Sequence, residues 1–546
     1  MIRGAAAPGA RFTSMRRRPS CTAGALLILT LACAAAAKDE TSFQLLTDKP
    51  NNICAPGDAV VLTARIETAQ PSAGATGTLT MHAVDFYGNT VWETSAETEV
   101  RGGEIRRGET APLKPGFYRL RAALRTEKRR YEARTSLGVI EQPRDYSLDS
   151  PFGINFGDPE LIRRAGIRWV RVNIPWRAVE AEKGSFDFEG YDRAVDAYVE
   201  RGIGILAVLM SPPDRARRVP ENYAPITRGV HAGWGDFPPN DVEAWGNYVF
   251  ETVSHFKDRV KHWEIWNEPW PHSLFFAGGT YEDYADLLRV AHARAKEADP
   301  DCVIVGLGGT DHWHAANIFE LGGFQYMDKA SIHVYQAGLA PEWGWFRDVI
   351  RKAQEVITRF GGGKGLWITE SGWPTNRGIS EGWQGISLED NARFLVRAHL
   401  LALAEGVEKY FWFSFRDAGT DPSNFEHNMG ILFHDGTPKP SYVAYSVLTN
   451  TLRGAALRSH TAFGADCHAA LFEGEDRFVY AAWADPGTEC IVKPAPEALK
   501  NARVIVMMGA ETPVPANEMT ITDSPVYIVL PDRAAAEALG EAFQQP

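Results

Sequence analysis

Cysteine is scarce in this chain, with six in 546 residues and no Cys-x-x-Cys spacing. That excludes a zinc ribbon or finger and a thioredoxin-like redox motif. Net positive charge is also missing. Asp and Glu outnumber Lys and Arg by 69 to 57, for a formal charge of -12. Such a balance repels nucleic acid and anionic membranes and suits a neutral partner. The apolar run at 23–31 is too short to cross a bilayer as a permanent helix. A glycine-rich phosphate loop is absent as well. Its place after the first strand of the α/β region holds Asn155-Phe156-Gly157-Asp158-Pro159, which does not fit a doubly wound dinucleotide fold.

What is present begins with an export pattern over 1–37. Arg16, Arg17 and Arg18 form a basic flank, the apolar run follows, and Ala34 to Ala37 offer a small-residue cleavage site. This predicts a secreted or periplasmic protein. Cys33 resembles a lipoprotein anchor only weakly, because Thr30 stands where Leu is usual; the paired arginines leave a twin-arginine route open. Cleavage after Ala37 leaves Cys54, Cys302, Cys467 and Cys490. Export permits disulfides, and Cys467 and Cys490 flank an apparent hairpin, so this pair is favoured. Cys302 opens an apolar strand and reads as a buried thiol.

Three regions follow the leader. Residues 38–140 show period-two alternation, as in Leu79, Met81 and Ala83 or Tyr118, Leu120, Ala122 and Leu124. Short half-buried strands with turns at 85–89 and 115–116 suggest an immunoglobulin-like β-sandwich. A polar linker, 141–150, leads into 151–452, where strands and helices alternate. Candidate strands are 152–156, 168–174, 203–210, 262–267, 302–307, 330–335, 366–370 and 410–415. Amphipathic helices lie between most of them, for example through Tyr284, Leu287, Leu288, Ala291 and Ala295 with Thr280 as N-cap. Eight such units predict an α/β fold of the (β/α)8, or TIM-barrel, type. From 453 to 546 strands return, as a C-terminal β-domain.

Reacting groups in such a barrel sit at the C-terminal ends of strands. The fourth candidate strand ends Trp266-Asn267-Glu268-Pro269-Trp270, and the seventh ends Ile368-Thr369-Glu370-Ser371-Gly372-Trp373. Each is aromatic-rich and closes on a carboxylate, and hydrolysis of a glycoside takes two such groups. Asn267-Glu268-Pro269 and Thr369-Glu370 resemble the motifs of clan A glycoside hydrolases. The β-sandwich companions and Phe411-Trp412-Phe413-Ser414-Phe415 look most like family 39 and its near neighbours. The resemblance spans roughly 151–450. It implies Glu268 as acid/base and Glu370 as nucleophile of a retaining mechanism, with the carboxyl groups about 5–5.5 Å apart. It implies Arg171, closing the second strand, beside the nucleophile, with Asn267 on the sugar hydroxyl next to the anomeric carbon. His333 and Tyr335 would touch nucleophile or sugar, and Trp412 would be an aromatic sugar platform. No metal and no organic cofactor is implied.

Either glutamate alone would read as an exposed strand-end acid; two in the expected strands favour catalysis. Glu264 reads as structural, paired with an arginine. Trp270 and Trp373 join Trp412 as looser platform candidates because they follow the motifs, although Trp also fills cores. His312 and His314 lack the carboxylate spacing of a hydrolytic metal site. Asp417 and His427 are candidates for shaping the cleft, and the Pro- and Gly-rich stretch 211–240 for one of its walls. The expected partner is an extracellular oligo- or polysaccharide. A carbohydrate-binding pseudoenzyme and a transglycosylase are the alternatives. Sugar, linkage, endo or exo action and oligomeric state are not specified.

Overall fold

The computed structural model describes residues 42–67, 75–100, 103–143, 147–226, 229, 231–232 and 235–544. The predicted leader, including Cys33, lies outside the described residues.

The N-terminal unit packs two sheets face to face. One has three strands, Ser42–Thr47, Val61–Glu67 and Gly103–Glu109. The other has five, in the order Ile53–Cys54, Arg130–Val139, Gly116–Thr126, Ala75–Asp85, Thr90–Val100. Leu62, Ala64 and Ile66 from the first meet Leu79, Met81, Leu120, Ala122 and Leu124 from the second, the outcome of the period-two pattern.

Eight parallel strands then close into a barrel: β1 (Phe152–Asn155), β2 (Trp169–Pro175), β3 (Gly204–Met210), β4 (His262–Ile265), β5 (Val303–Gly306), β6 (Lys329–His333), β7 (Gly365–Ser371) and β8 (Lys409–Trp412). Helices pack outside it between most of the strands, including His312–Glu320, where the sequence suggests a loop. Tyr281–Ala298 starts on a capping box, in which the Thr280 hydroxyl accepts from the Asp283 N–H and the Asp283 carboxylate accepts from the Thr280 N–H. Its buried face carries Tyr284, Leu287, Leu288, Ala291 and Ala295.

Inside the barrel, alternation along β2 sets three levels. Trp169 joins Leu206, Val305, Trp367 and Phe411 in an apolar layer. Two residues on, Arg171 enters a buried polar layer with Glu264, Asn155, Ser331 and Thr369. Two residues further, Asn173 reaches the mouth. The strand runs on to Pro175, so Arg171 sits mid-strand rather than closing it.

The C-terminal unit is a six-stranded sheet with a helix, Arg533–Ala542, on its flank. Cys467 and Cys490 form a disulfide there, while Cys54 and Cys302 are buried free thiols. The unit is tied to the barrel by Trp483 Nε1 donating to Glu342 (3.0 Å) and Trp343 Nε1 donating to Asp485 (3.0 Å). No helix among the described residues is long and apolar enough to cross a membrane.

Candidate active site

The barrel mouth opens into a cavity of about 870 Å³ whose wall includes Arg171, Asn173, Asn267, Glu268, Tyr335 and Glu370. Glu268 and Glu370 enter it by different local routes. β4 ends at Ile265, the Trp266 N–H adds one more bond to the Leu209 carbonyl of β3 (2.9 Å), and Glu268 follows in left-handed backbone with φ 50°. Its N–H is held by the Gly308 carbonyl at 2.6 Å. Glu370 lies within β7, opposite His333 of β6 across an irregularity in register. Five non-glycine residues at the ends of β1, β3, β4 and β5 adopt positive φ: Phe156, Ser211, Trp266, Glu268 and Leu307. Backbone of this kind is costly and concentrates at functional sites.

Arg171 organises the floor. Its Nε donates to Glu264 (2.5 Å), one terminal nitrogen to Glu370 Oε1 (2.5 Å) and Asn155 Oδ1 (3.2 Å), and the other to Asn267 Oδ1 (2.8 Å). Glu264 also accepts from Ser331 (2.7 Å) and Thr369 (2.8 Å), so this fully buried carboxylate is satisfied. The structural reading of Glu264, with an arginine partner, holds. Arg171→Met would leave Glu264 as a buried charge without its partner. It is expected to cost about 3–5 kcal/mol of stability, measured by denaturant unfolding.

Tyr335 donates to Glu370 Oε2 at 2.8 Å. Burial pushes the Glu370 carboxyl up, but the charges of His333 and Arg171 and the hydrogen bonds from Tyr335 and Arg171 outweigh it, and the group lies below its ordinary value. Glu370 is thus held ionised. Tyr335→Phe removes a bond that favours the charged form. The acid limb of the kcat/KM profile should therefore move to higher pH. The rate should fall about tenfold to a hundredfold, the worth of a hydrogen bond to a charged group.

His333 Nδ1 lies 2.9 Å from Glu268 Oε1 and 3.7 Å from Glu370 Oε2. Its ring packs on Gly309, where a Cβ would come within 2.2 Å of Nε2, so only glycine fits. Ligand atoms of Glu268, His333 and Glu370 all fall within 4.8 Å of one another. A metal could be imagined there, but Arg171 and Tyr335 already occupy both Glu370 oxygens, and a guanidinium on the same carboxylate opposes a cation.

Two of the three predicted tryptophan platforms, Trp412 and Trp373, are corrected by the structure. Trp412 and Trp373 are fully buried and stack on each other at 5.6 Å, away from the mouth. The physical reason for Trp412 is strand alternation: it faces His399 of the helix layer (6.3 Å), and the next residue, Phe413, lines the cavity. Trp373 is anchored by its indole N–H to the Leu339 carbonyl (2.7 Å). Trp270 stacks on His314 at 5.4 Å and is not part of the cavity wall. The aromatic surface of the site is instead Trp383, stacked on Phe425 at 4.9 Å and edge-on to Tyr335 at 5.2 Å.

Loops complete the wall. Ser211, Arg217, His231, Gly235 and Asp236 come from the stretch after β3, which therefore does form one side. Asn424, Phe425, Glu426 and His427 come from the loop after β8. His427 lines this cavity, whereas Asp417 is buried in an ion pair with Lys439 (2.7 Å) and lines the cavity beside it. Sequence reasoning missed Glu426. Burial, then the charges of Glu370, Glu268 and Glu381, push its carboxyl up to about 7. His314 bonds Tyr281 at 2.7 Å and takes no part in the site.

In fold and site plan the chain resembles clan A glycoside hydrolases. More narrowly it stands near family 39: residues 144–340 match the family model "Glycosyl hydrolases family 39". A β-xylosidase of Caldicellulosiruptor saccharolyticus is 28% identical over 295 residues, 48% of this chain and 56% of that protein. A β-xylosidase of Geobacillus stearothermophilus is 30% identical over 174 residues, 28% of this chain and 32% of that protein. The matched part thus spans about half or less of these curated relatives. A family 39 glycoside hydrolase from Bacteroides cellulosilyticus WH2 shares the fold with a TM-score of 0.68 at 22% identity, over 90% of this chain and all of that one.

Proposed function

We propose that the protein hydrolyses O-glycosidic bonds of an oligo- or polysaccharide with retention of anomeric configuration. The observation that carries this is the closeness of the Glu268 and Glu370 oxygens, within 4.8 Å across one cavity. Retaining enzymes hold their carboxyl groups about 5–5.5 Å apart, whereas inverting enzymes need about 6.5–9.5 Å to admit a water. Glu370, held ionised, attacks the anomeric carbon as the bond to the leaving oxygen breaks. Glu268 gives that oxygen its proton. The glycosyl ester on Glu370 then yields to water, whose proton returns to Glu268. Loss of the Glu370 charge in the intermediate is what lets Glu268 change from acid to base.

Asn267 has its side-chain oxygen fixed by Arg171, which leaves its NH2 oriented for a sugar hydroxyl. Two relatives are β-xylosidases, so β-xylosides are the first substrates to assay. Export to the periplasm or medium is part of the proposal, on the basic and apolar pattern of the first 37 residues. Proton NMR of the first-formed product from a β-glycoside tests the mechanism. The β anomer is expected first, and initial appearance of the α anomer would show inversion.

A further inference from the structure

The catalytic cavity does not end at its rim. A second cavity, of about 850 Å³, lies beside it at the ends of β1 and β8. Phe156, Phe413, Ala418 and Glu426 line both, so the two are adjoining compartments of one depression. Each alone matches pockets that bury a drug-sized molecule, about 300–1,000 Å³. Together they hold more than one sugar ring.

The divide between them is an unusual residue. Phe156 is 42% exposed and has φ 59°, a conformation that a bulky side chain rarely adopts. Its N–H is bonded to the Arg171 carbonyl at 3.0 Å, which ties it to the catalytic floor. The turn continues through Gly157, where a Cβ would strike the Phe415 ring at 2.4 Å. An exposed aromatic held in strained backbone at the junction of two cavities has the character of a stacking surface.

Beyond Phe156 the wall is polar. Arg416 is exposed, and its guanidinium has no ion pair or hydrogen bond among the described residues. Arg164 Nε is buried without a hydrogen-bond partner. Asp158, Glu160 and His434 add acceptors and a donor. Pro50 and Asn51, from the N-terminal sandwich, close the far side. That unit is docked firmly: the Ser136 hydroxyl donates to the Pro438 carbonyl at 2.6 Å, and Arg164 donates to the Ile53 carbonyl at 3.3 Å.

The position sets the direction. In the ring of eight strands, β1 and β8 lie across the barrel from β4 and β5. Glu268, the proposed proton donor to the leaving group, follows β4. The second compartment is therefore on the side of the sugar that stays on Glu370.

We propose that this compartment binds further glycosyl units on the non-reducing side of the scissile bond, so that the protein cleaves within chains and its N-terminal sandwich supplies part of the substrate site. This rests on the glycosidase reading above. The test uses β-1,4-linked xylo- and gluco-oligosaccharides from the trimer upward. The expected first products carry two or more units from the non-reducing end, and kcat/KM rises with chain length. Phe156→Asn, which tolerates the backbone, and Arg416→Ala should each lower the ratio of kcat/KM on long chains to that on an aryl monoglycoside by about tenfold. Monosaccharide as the first product with no length dependence, or an unchanged ratio in both variants, overturns the proposal. Calorimetric titration of the Glu370→Ala protein with the same ladder keeps the two readings apart. Affinity that grows with length and is weakened by Arg416→Ala supports the compartment even without turnover, and length-independent affinity overturns it.

Discussion

Glu370→Ala is expected to lower hydrolysis by about 10⁴–10⁶-fold, the range seen when a nucleophile is removed from a concerted catalytic group. The fold should survive. Arg171 keeps Glu264 at 2.5 Å, Asn155 at 3.2 Å and Asn267 at 2.8 Å after the carboxylate is gone, so the guanidinium stays paired. Far-UV circular dichroism and thermal unfolding of the variant should resemble wild type. A large fall in rate without a large fall in stability separates a reacting group from a structural one.

Glu268→Gln should cost about 10²–10⁴-fold, the usual worth of general acid–base assistance. The loss depends on the leaving group. Alkyl and sugar leaving groups need the proton, whereas an acidic phenol departs without it. A plot of log kcat/KM against leaving-group pKa should therefore be steeper in the variant. The same loss on every leaving group would place Glu268 in binding rather than proton transfer. His333 Nδ1 lies 2.9 Å from Glu268 Oε1 and fixes the position of that side chain.

Much of this site was legible in the sequence, and the reasons differ by residue. Glu268 and Glu370 stand out because strand, motif and turn coincide in a short stretch. Arg171, Asn267 and Tyr335 follow only from the resemblance to clan A, once the barrel rhythm has assigned their strands. Glu264 was legible as a buried acid needing a cation. The tryptophans misled because composition says nothing of which way a side chain points. Trp412 and Phe413 are neighbours, yet one enters the helix layer and the other the cavity. Glu426 and Asp236 come from long loops, where no periodicity links sequence position to place. Their roles arise from burial and from facing the mouth, which only the folded chain defines. Phe156 was quoted in the sequence as evidence against a phosphate loop. Its left-handed backbone and exposure gave it a second meaning.

The fold was legible for the same reason as the motifs. Each strand keeps an apolar face, each helix a stripe, and Thr280 announces its helix by capping chemistry. Strand ends were less sharp. β4 stops at Ile265, because Trp266 and Glu268 turn into left-handed backbone that a hydrophobic pattern does not report.

The most direct measurement is covalent trapping. An activated 2-deoxy-2-fluoro glycoside of a sugar the enzyme cleaves slows release of the glycosyl-enzyme, and peptide mass spectrometry locates the ester. A glycosyl adduct on Glu370, absent from Glu370→Ala, is the expected result. An adduct on Glu268 or Glu426 instead, or hydrolysis that proceeds without any adduct, would contradict the assignment of Glu370 as nucleophile.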